Sequence, residues 1–156
     1  MNLLYRAIEK SDEPFLWEML YQALYVPEGE PPFPREILQQ PEIKVYVENW
    51  GADSDQGVLA LNDDSPIGAV WVRKIKGYGF VAEDIPELTI AVLPEFRGSG
   101  IGSNLMKQLF SFISPYYEAV SLSVTAANPA MKLYQRLGFE IVKVAGNSVT
   151  MKKWVR

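Results

Sequence analysis

One stretch of the chain, Leu88–Met106, constrains the fold more than any other. It begins with apolar and β-branched residues typical of a strand, and Pro94 ends that strand because proline has no N–H to donate to a sheet. A glycine-rich turn, Arg97–Gly102, follows. Apolar residues then recur at every fourth position of a predicted amphipathic helix: Ile101, Leu105, Leu109 and Ile113. The stretch therefore predicts a strand, a tight turn and a helix in direct succession.

The glycine-rich turn has the properties of an anion site. Glycines let backbone N–H groups converge on a ligand without obstruction by a Cβ atom, and the positive end of the helix dipole lies behind them, which suits phosphate. A Walker loop is excluded because the chain has no Gly-Lys-Ser/Thr tripeptide. Ser103 breaks the Gly-x-Gly-x-x-Gly pattern of dinucleotide-binding proteins. The pattern Arg-x-x-Gly-x-Gly does match, at Arg97, Gly100 and Gly102, and a turn without any ligand is the alternative.

Two residue types are missing from the chain, and their absence excludes several kinds of chemistry. The 156 residues include no cysteine and no histidine. Disulfides, thiolate nucleophiles, serine–histidine triads and metal sites built from these residues are therefore excluded. Any proton transfer must use Asp, Glu, Lys, Tyr, a terminus or water.

Charge and hydropathy narrow the range of partners. The chain has 15 basic and 19 acidic residues, a formal charge of −4, so it lacks the basic surplus that neutralises a nucleic-acid backbone. No apolar run approaches the roughly 20 residues that span a bilayer, and the first residues do not have the form of a signal peptide. We expect a cytoplasmic protein, with neither nucleic acid nor membrane as partner, that forms one domain over residues 1–156.

Strands and helices alternate along the chain. The predicted strands are Leu3–Ile8, Gly57–Leu61, Ile67–Ile75, the strand ending before Pro94, Val120–Val124, Glu140–Val144 and Val149–Trp154. Helices are predicted to begin at Ser11–Pro14, Arg35, Ile101 and Asn128–Pro129, while Ile43–Trp50 fits a helix or a turn. This order predicts an α/β (α+β) fold, in which a mixed, mostly antiparallel sheet of about seven strands is flanked by about four helices.

Two motifs together resemble the signatures of the GNAT N-acetyltransferase family. Val92-x-Pro-x-x-Arg-Gly-x-Gly-Ile-Gly102 is similar to the family's acyl-CoA pyrophosphate signature, and Asn128-Pro-Ala-x-x-Leu-Tyr-x-x-x-Gly-Phe139 is similar to its second signature. One predicted strand separates them, as in the family. The resemblance covers the C-terminal half closely, whereas the N-terminal half agrees only in the order of its elements.

The resemblance implies a GNAT-like acyl-CoA N-acyltransferase fold that uses acetyl-CoA as co-substrate, without a metal. Backbone N–H groups of the turn would bind the pyrophosphate of coenzyme A, the edge of the preceding strand would pair with the pantetheine arm, and Asn128 would hold that arm or cap its helix. The implied coenzyme A residues are Ile90, Ala91, Val92, Arg97, Gly98, Ser99, Gly100, Ile101, Gly102, Ser103 and Asn128.

The resemblance also implies two catalytic roles. Tyr134 would face the sulfur and protonate the departing thiolate; the alternative is an aromatic residue that only packs in the core. The attacking amine must be neutral, so a base is needed, and we expect Glu87 to supply it. The alternative bases are Glu83, Asp84 or a water chain. Glu87 would then be an exposed acid at the end of the strand, without a catalytic role.

The implied function is direct acetyl transfer from acetyl-CoA to a primary amine, on a small molecule or at a protein N-terminus or lysine. A non-catalytic acyl-CoA sensor or interaction module on the same fold is the rival interpretation. The aromatic candidates for an acceptor pocket are Tyr21, Tyr25, Phe33, Trp50, Trp71 and Tyr78. The acceptor and the oligomeric state, including a homodimer, stay open at this stage.

Overall fold

The computed structural model describes residues 1–156 as a seven-stranded sheet with four α-helices. The strands are β1 (Leu3–Ala7), β2 (Gln56–Asn62), β3 (Ser65–Arg73), β4 (Glu87–Val92), β5 (Ala119–Thr125), β6 (Glu140–Ala145) and β7 (Ser148–Trp154). The helices are α1 (Glu13–Ala23), α2 (Pro41–Lys44), α3 (Ile101–Ile113) and α4 (Ala130–Arg136), and short 3-10 turns cover Lys10–Asp12, Arg35–Gln39 and Pro94–Phe96. None of these helices combines the length and apolar character needed to cross a lipid bilayer.

The sheet is antiparallel except at one junction. Its strand order is β1-β2-β3-β4-β5-β7-β6, and only the β4–β5 pair is parallel. Tight turns explain two of the antiparallel pairs, since Asp63 and Asp64 at the β2–β3 turn and Gly146 at the β6–β7 turn have positive φ angles. The crossover through α3 explains the parallel pair. The predicted mixed, mostly antiparallel α/β arrangement is confirmed.

Each face of the sheet is covered by its own apolar layer. The apolar stripe of α3, including Leu105 and Leu109, packs on one face with Val70, Val120 and Met151. On the other face α1 and the segment around α2 pack against a second cluster, with Leu16, Leu59 and Trp71 fully buried. The two helical layers therefore meet the sheet from opposite sides.

The segment 43–50 is mostly turn, and Arg73 explains why. The Arg73 guanidinium donates to the carbonyl oxygens of Val45 at 3.0 Å and Glu48 at 2.8 Å, so these carbonyls are satisfied without a continuing helix. Asp55 balances the buried charge through a 3.1 Å ion pair. The helix therefore ends early and places Tyr46 over the sheet.

Candidate active site

The candidate site lies where two parallel strands separate. β4 and β5 pair at Glu87 and Ser121, where the Ser121 N–H donates to the Pro86 carbonyl oxygen at 3.1 Å. Beyond this pair the strands part, although β4 stays paired with β3 along its length. The gap holds a cavity of about 360 Å³ lined by residues of both apolar clusters. A cleft therefore crosses the sheet between its two helical layers.

The glycine-rich turn presents free backbone donors at the start of α3. Gly98 and Gly100 have φ angles of +81° and +83°, a left-handed conformation that glycine adopts without steric cost. The N–H groups of residues 98–103 donate to no backbone acceptor. The space beside Gly98 and Gly100 is also open, since no atom lies within 4 Å of the position that a Cβ atom would take on either residue. With the dipole of the 13-residue α3 behind it, the turn fits an anionic ligand.

The Arg97 side chain turns back from the glycines. Its Nε donates to the Val92 carbonyl oxygen at 3.0 Å, and a terminal nitrogen lies 3.4 Å from Oε1 of Gln22. These contacts tie the turn to the end of β4 and to α1. A direct contribution of Arg97 to phosphate binding stays a prediction.

Alternate residues of β4 direct their main-chain N–H and C=O groups into the gap. The Leu93 N–H donates to the carbonyl oxygen of Ile67 in β3 at 2.8 Å. Alternate residues of a strand direct their main-chain groups to the same side, so those of Ala91 also point at β3. Those of Ile90 and Val92 therefore face the gap, where Arg97 occupies the Val92 carbonyl. Ile90 also lines the cavity, so its backbone is the free edge.

Asn128 lies at the cavity and caps α4. Its Oδ1 accepts a hydrogen bond from the Ala130 N–H at 2.9 Å, which satisfies one of the donors at the start of that helix. The residue also lines the cavity. Both roles weighed from the sequence are thus compatible with its position.

Tyr134 brings a free hydroxyl to the cavity. Its ring packs edge-on against Phe139, with centroids 6.0 Å apart, while the residue lines the cavity. No protein group bonds its hydroxyl. The hydroxyl oxygen is not fully buried, so it is open to the cavity. Burial of the side chain raises the pKa of Tyr134 to about 12. The hydroxyl therefore stays protonated at neutral pH.

Glu87 is buried and bound by donors. Its Oε2 accepts from the Gly77 N–H at 2.6 Å, and its Oε1 accepts from the Gly79 N–H at 2.8 Å and from the Tyr46 hydroxyl at 3.0 Å. The alternative of an exposed strand-end acid is wrong, because Glu87 is 2% exposed. Burial raises the pKa of Glu87, against the opposing effect of these hydrogen bonds.

Tyr46 connects the buried Glu87 to the cavity. It lines the cavity, whereas Glu87 does not, and its hydroxyl also accepts the Tyr78 N–H at 2.9 Å. Burial, and then the charge of Glu87, raise the pKa of Tyr46. Tyr46 could not be identified from the sequence, since 41 residues separate it from Glu87 and no motif links the two.

Glycines at 77 and 79 allow the loop to wrap around this pair. A Cβ atom on Gly77 would collide with the Tyr46 hydroxyl, and one on Gly79 would stand 2.7 Å from the Leu122 backbone. Three successive N–H groups, from Gly77 to Gly79, therefore bond the Glu87–Tyr46 pair. The 77–79 loop is thus a cradle for the Glu87 carboxylate.

Three of the six aromatic candidates for an acceptor pocket line the cavity, and three do not. Tyr25, Phe33 and Tyr78 line the cavity. The expectation for Trp50 and Trp71 is wrong, because both are buried in the core, where the Trp71 indole N–H donates to the Tyr46 carbonyl oxygen at 2.9 Å. Tyr21 does not line the cavity either. It holds the proline-rich loop, residues 26–34, by donating to the Phe33 carbonyl oxygen at 2.6 Å.

Sequence comparison identifies related proteins. Residues 53–141 match the family model described as an acetyltransferase (GNAT) domain. An N-alpha-acetyltransferase of Saccharolobus solfataricus is 32% identical over 96 residues, which cover 55% of this chain and 57% of that protein. Another N-alpha-acetyltransferase, of Sulfurisphaera tokodaii, is 42% identical over 60 residues, 36% of each chain. The chain thus matches at most little more than half the length of these curated relatives.

Structural comparison extends over the whole fold. The crystal structure of the PaiA N-acetyltransferase of Thermoplasma acidophilum, in complex with coenzyme A, aligns with a TM-score of 0.69 and 18% identity, covering 99% of both chains. This likeness establishes the fold, and the predicted acyl-CoA N-acyltransferase architecture is confirmed.

The left-handed glycines provide a test of the predicted coenzyme A site. Gly100→Val forces a β-branched residue into a φ of +83°, so the turn must rearrange and its N–H groups disperse. We expect the Kd for coenzyme A, measured by calorimetry, to rise at least tenfold in a protein that still folds.

Gly146→Val is the matched control. Gly146 also has a positive φ, +63°, but lies in the β6–β7 turn, so the variant should share the backbone strain and keep its affinity. Unchanged affinity in Gly100→Val, or equal losses in both variants, would show that the turn before α3 does not bind coenzyme A.

Proposed function

The chain belongs to the GNAT acetyltransferase family, and from that premise we propose that it transfers the acetyl group of acetyl-CoA directly to the α-amine of a peptide. One observation carries the proposal: the free hydroxyl of Tyr134 and the free edge of β4 at Ile90 line the same cavity. The N-alpha-acetyltransferase relatives support the choice of a peptide α-amine among the primary amines.

The donor would bind along the gap between β4 and β5. The N–H groups of residues 98–103 are free for the pyrophosphate, and the main-chain groups of Ile90 are free to pair with the amides of the pantetheine arm as a further strand would. Asn128, which follows β5, lines the same cavity. This arrangement would carry the thioester into the cleft that crosses the sheet.

The chemistry requires one bond to form and one to break. The amine nitrogen attacks the thioester carbonyl carbon, the C–N bond forms, and the C–S bond breaks to release a thiolate. Tyr134 would donate its hydroxyl hydrogen bond to the sulfur as negative charge develops there, and then its proton, which solvent replaces. A free Ile90 N–H would stabilise the carbonyl oxygen during the attack.

Glu87 would act as base through Tyr46. One proton of the acceptor's ammonium group would pass to the Tyr46 oxygen while the Tyr46 proton passes to Oε1 of Glu87, 3.0 Å away, so that the phenol is neutral before and after. The neutral amine then attacks, and the proton that its nitrogen must still lose as the C–N bond forms passes to solvent. An α-amine has a pKa near 8, about 4 units above that of an ordinary glutamate. Because burial raises the pKa of Glu87, the pKa difference between the amine and this carboxylate is smaller than for an ordinary glutamate.

Tyr134→Phe tests the enzyme against the sensor interpretation. Wild-type protein mixed with acetyl-CoA and a peptide should release free thiol, whereas a sensor would bind acetyl-CoA without release. In Tyr134→Phe the ring packing remains, so affinity should hold, while kcat should fall by about 10² to 10⁴, the usual contribution of general acid–base catalysis. The loss should fall on kcat rather than on KM.

Tyr116→Phe is the control, since Tyr116 is 65% exposed and lies outside the cavity. Equal turnover in Tyr134→Phe and wild type would remove Tyr134 from the mechanism. Joint loss of folding and affinity would assign it a packing role.

The pH dependence of kcat tests the route through Tyr46. Protonated Glu87 cannot accept a proton, and its raised pKa keeps it protonated to higher pH than an ordinary glutamate. With both substrates saturating, kcat should therefore fall as pH drops through that raised pKa. Tyr46→Phe and Glu87→Gln should lower the plateau and abolish this acid limb.

The structural alternative is that Glu87 only anchors the 77–79 loop. In that case both variants would lower the melting temperature and leave the acid limb of kcat in place. That result would overturn the role of Glu87 as base.

A further inference from the structure

The cavity wall on the α1 side of the sheet is apolar and uncharged. We call it the acceptor wall. Leu20, Leu24, Ile37 and Ile43 belong to the apolar cluster of that side, and we count with them Phe33 and Tyr78, which line the same cavity. None of the 19 residues that line the whole cavity is Asp, Glu, Lys or Arg. A group that enters on this side therefore meets hydrocarbon and aromatic rings.

The acidic residues nearby are engaged or directed elsewhere. Glu18 on α1 forms a 2.6 Å ion pair with Arg35, and Glu87 is buried beneath its three hydrogen-bond donors. Glu28 and Glu30 are exposed residues of the proline-rich loop and do not line the cavity. A second positive charge on an acceptor would thus lose its hydration without gaining a partner, which is costly.

The acceptor wall is held in place before any acceptor arrives. Tyr21 fixes the loop through the Phe33 carbonyl oxygen at 2.6 Å, and the Arg35 guanidinium stacks 4.0 Å over the Tyr21 ring. Above the cleft, the Tyr25 hydroxyl donates to the Ala127 carbonyl oxygen at 3.3 Å. A preformed apolar surface selects by shape and hydrophobicity, because little ordering is needed on binding.

We propose that the acceptor is a peptide whose first residue carries a large apolar side chain, which packs on the acceptor wall while its α-amine points at Tyr46. This inference rests on the proposed function and adds the selectivity of the same site. It excludes polyamines and other polycationic amines as preferred acceptors. It also disfavours peptides that begin with lysine or with a small polar residue.

A peptide series tests the selectivity directly. Peptides with one common tail and Leu, Met, Ser or Lys at the first position are compared with spermidine and with leucinamide, by thiol release and by the mass of the product. We expect kcat/KM for the Leu and Met peptides to exceed that for the Ser peptide at least tenfold, in line with the roughly 10–200-fold that a hydrophobic pocket gains per methylene. Spermidine should give no comparable turnover, and leucinamide should be poorer than the Leu peptide.

Phe33→Ala and Phe112→Ala form a matched pair of variants. Both phenylalanines are about equally exposed, 39% and 40%, but only Phe33 lines the cavity. Phe33→Ala should lower kcat/KM for the Leu peptide by about tenfold and that for the Ser peptide far less. Phe112→Ala should leave both values unchanged, which separates loss of the wall from loss of stability.

The possible failures are distinguishable. Turnover that favours the Ser peptide, the Lys peptide, spermidine or leucinamide would overturn the inference and leave acetyl transfer intact. An unchanged Leu-to-Ser ratio in Phe33→Ala would also overturn it. If no amine supports thiol release, the proposed function fails and this inference fails with it.

Discussion

β4 and β5 pair at a single position and then separate, and the candidate site depends on that separation. A fully paired sheet would have no gap, and the glycine-rich turn and the acceptor wall would lie on opposite sides of a closed layer. Because the strands part beyond Glu87 and Ser121, one cavity contacts both helical layers. An acyl donor and an amine can thus approach one carbon atom from opposite sides.

Glu87 lies at the point where the strands part. A buried carboxylate costs several kcal/mol of desolvation unless donors surround it, and each of its three donors contributes roughly 1.5–3 kcal/mol as a hydrogen bond to a charged group. The same bonds hold the 77–79 loop and fix the Tyr46 hydroxyl on Glu87, while the Tyr46 residue lines the cavity. Next to this network, Ser121 Oγ is buried without a partner, so the network ends at the strand pair.

Local chemistry explains which features the sequence could predict. The glycine turn, the helix that follows it and the hairpin turns each depend on residues close together in the chain, and all were predictable. Tyr134 could be placed at the cavity through a motif. The link from Tyr46 to Glu87 depends on the turn that Arg73 imposes on residues 45–49, a contact between distant segments that leaves no periodic pattern. For the same reason Trp50 and Trp71, candidates by residue type, proved to be core residues.

The central claim is that the gap between β4 and β5, with the turn before α3, binds coenzyme A. Thermal unfolding of the wild-type protein with added nucleotides tests it most directly. A ligand that binds only the folded state stabilises that state by mass action, by about 2.7 kcal/mol at a concentration of 100 times its Kd, and so raises the melting temperature. The melting temperature should rise clearly with coenzyme A and with acetyl-CoA, and far less with NAD or ATP at the same concentration. No shift with coenzyme A, or an equal shift with NAD, would contradict it.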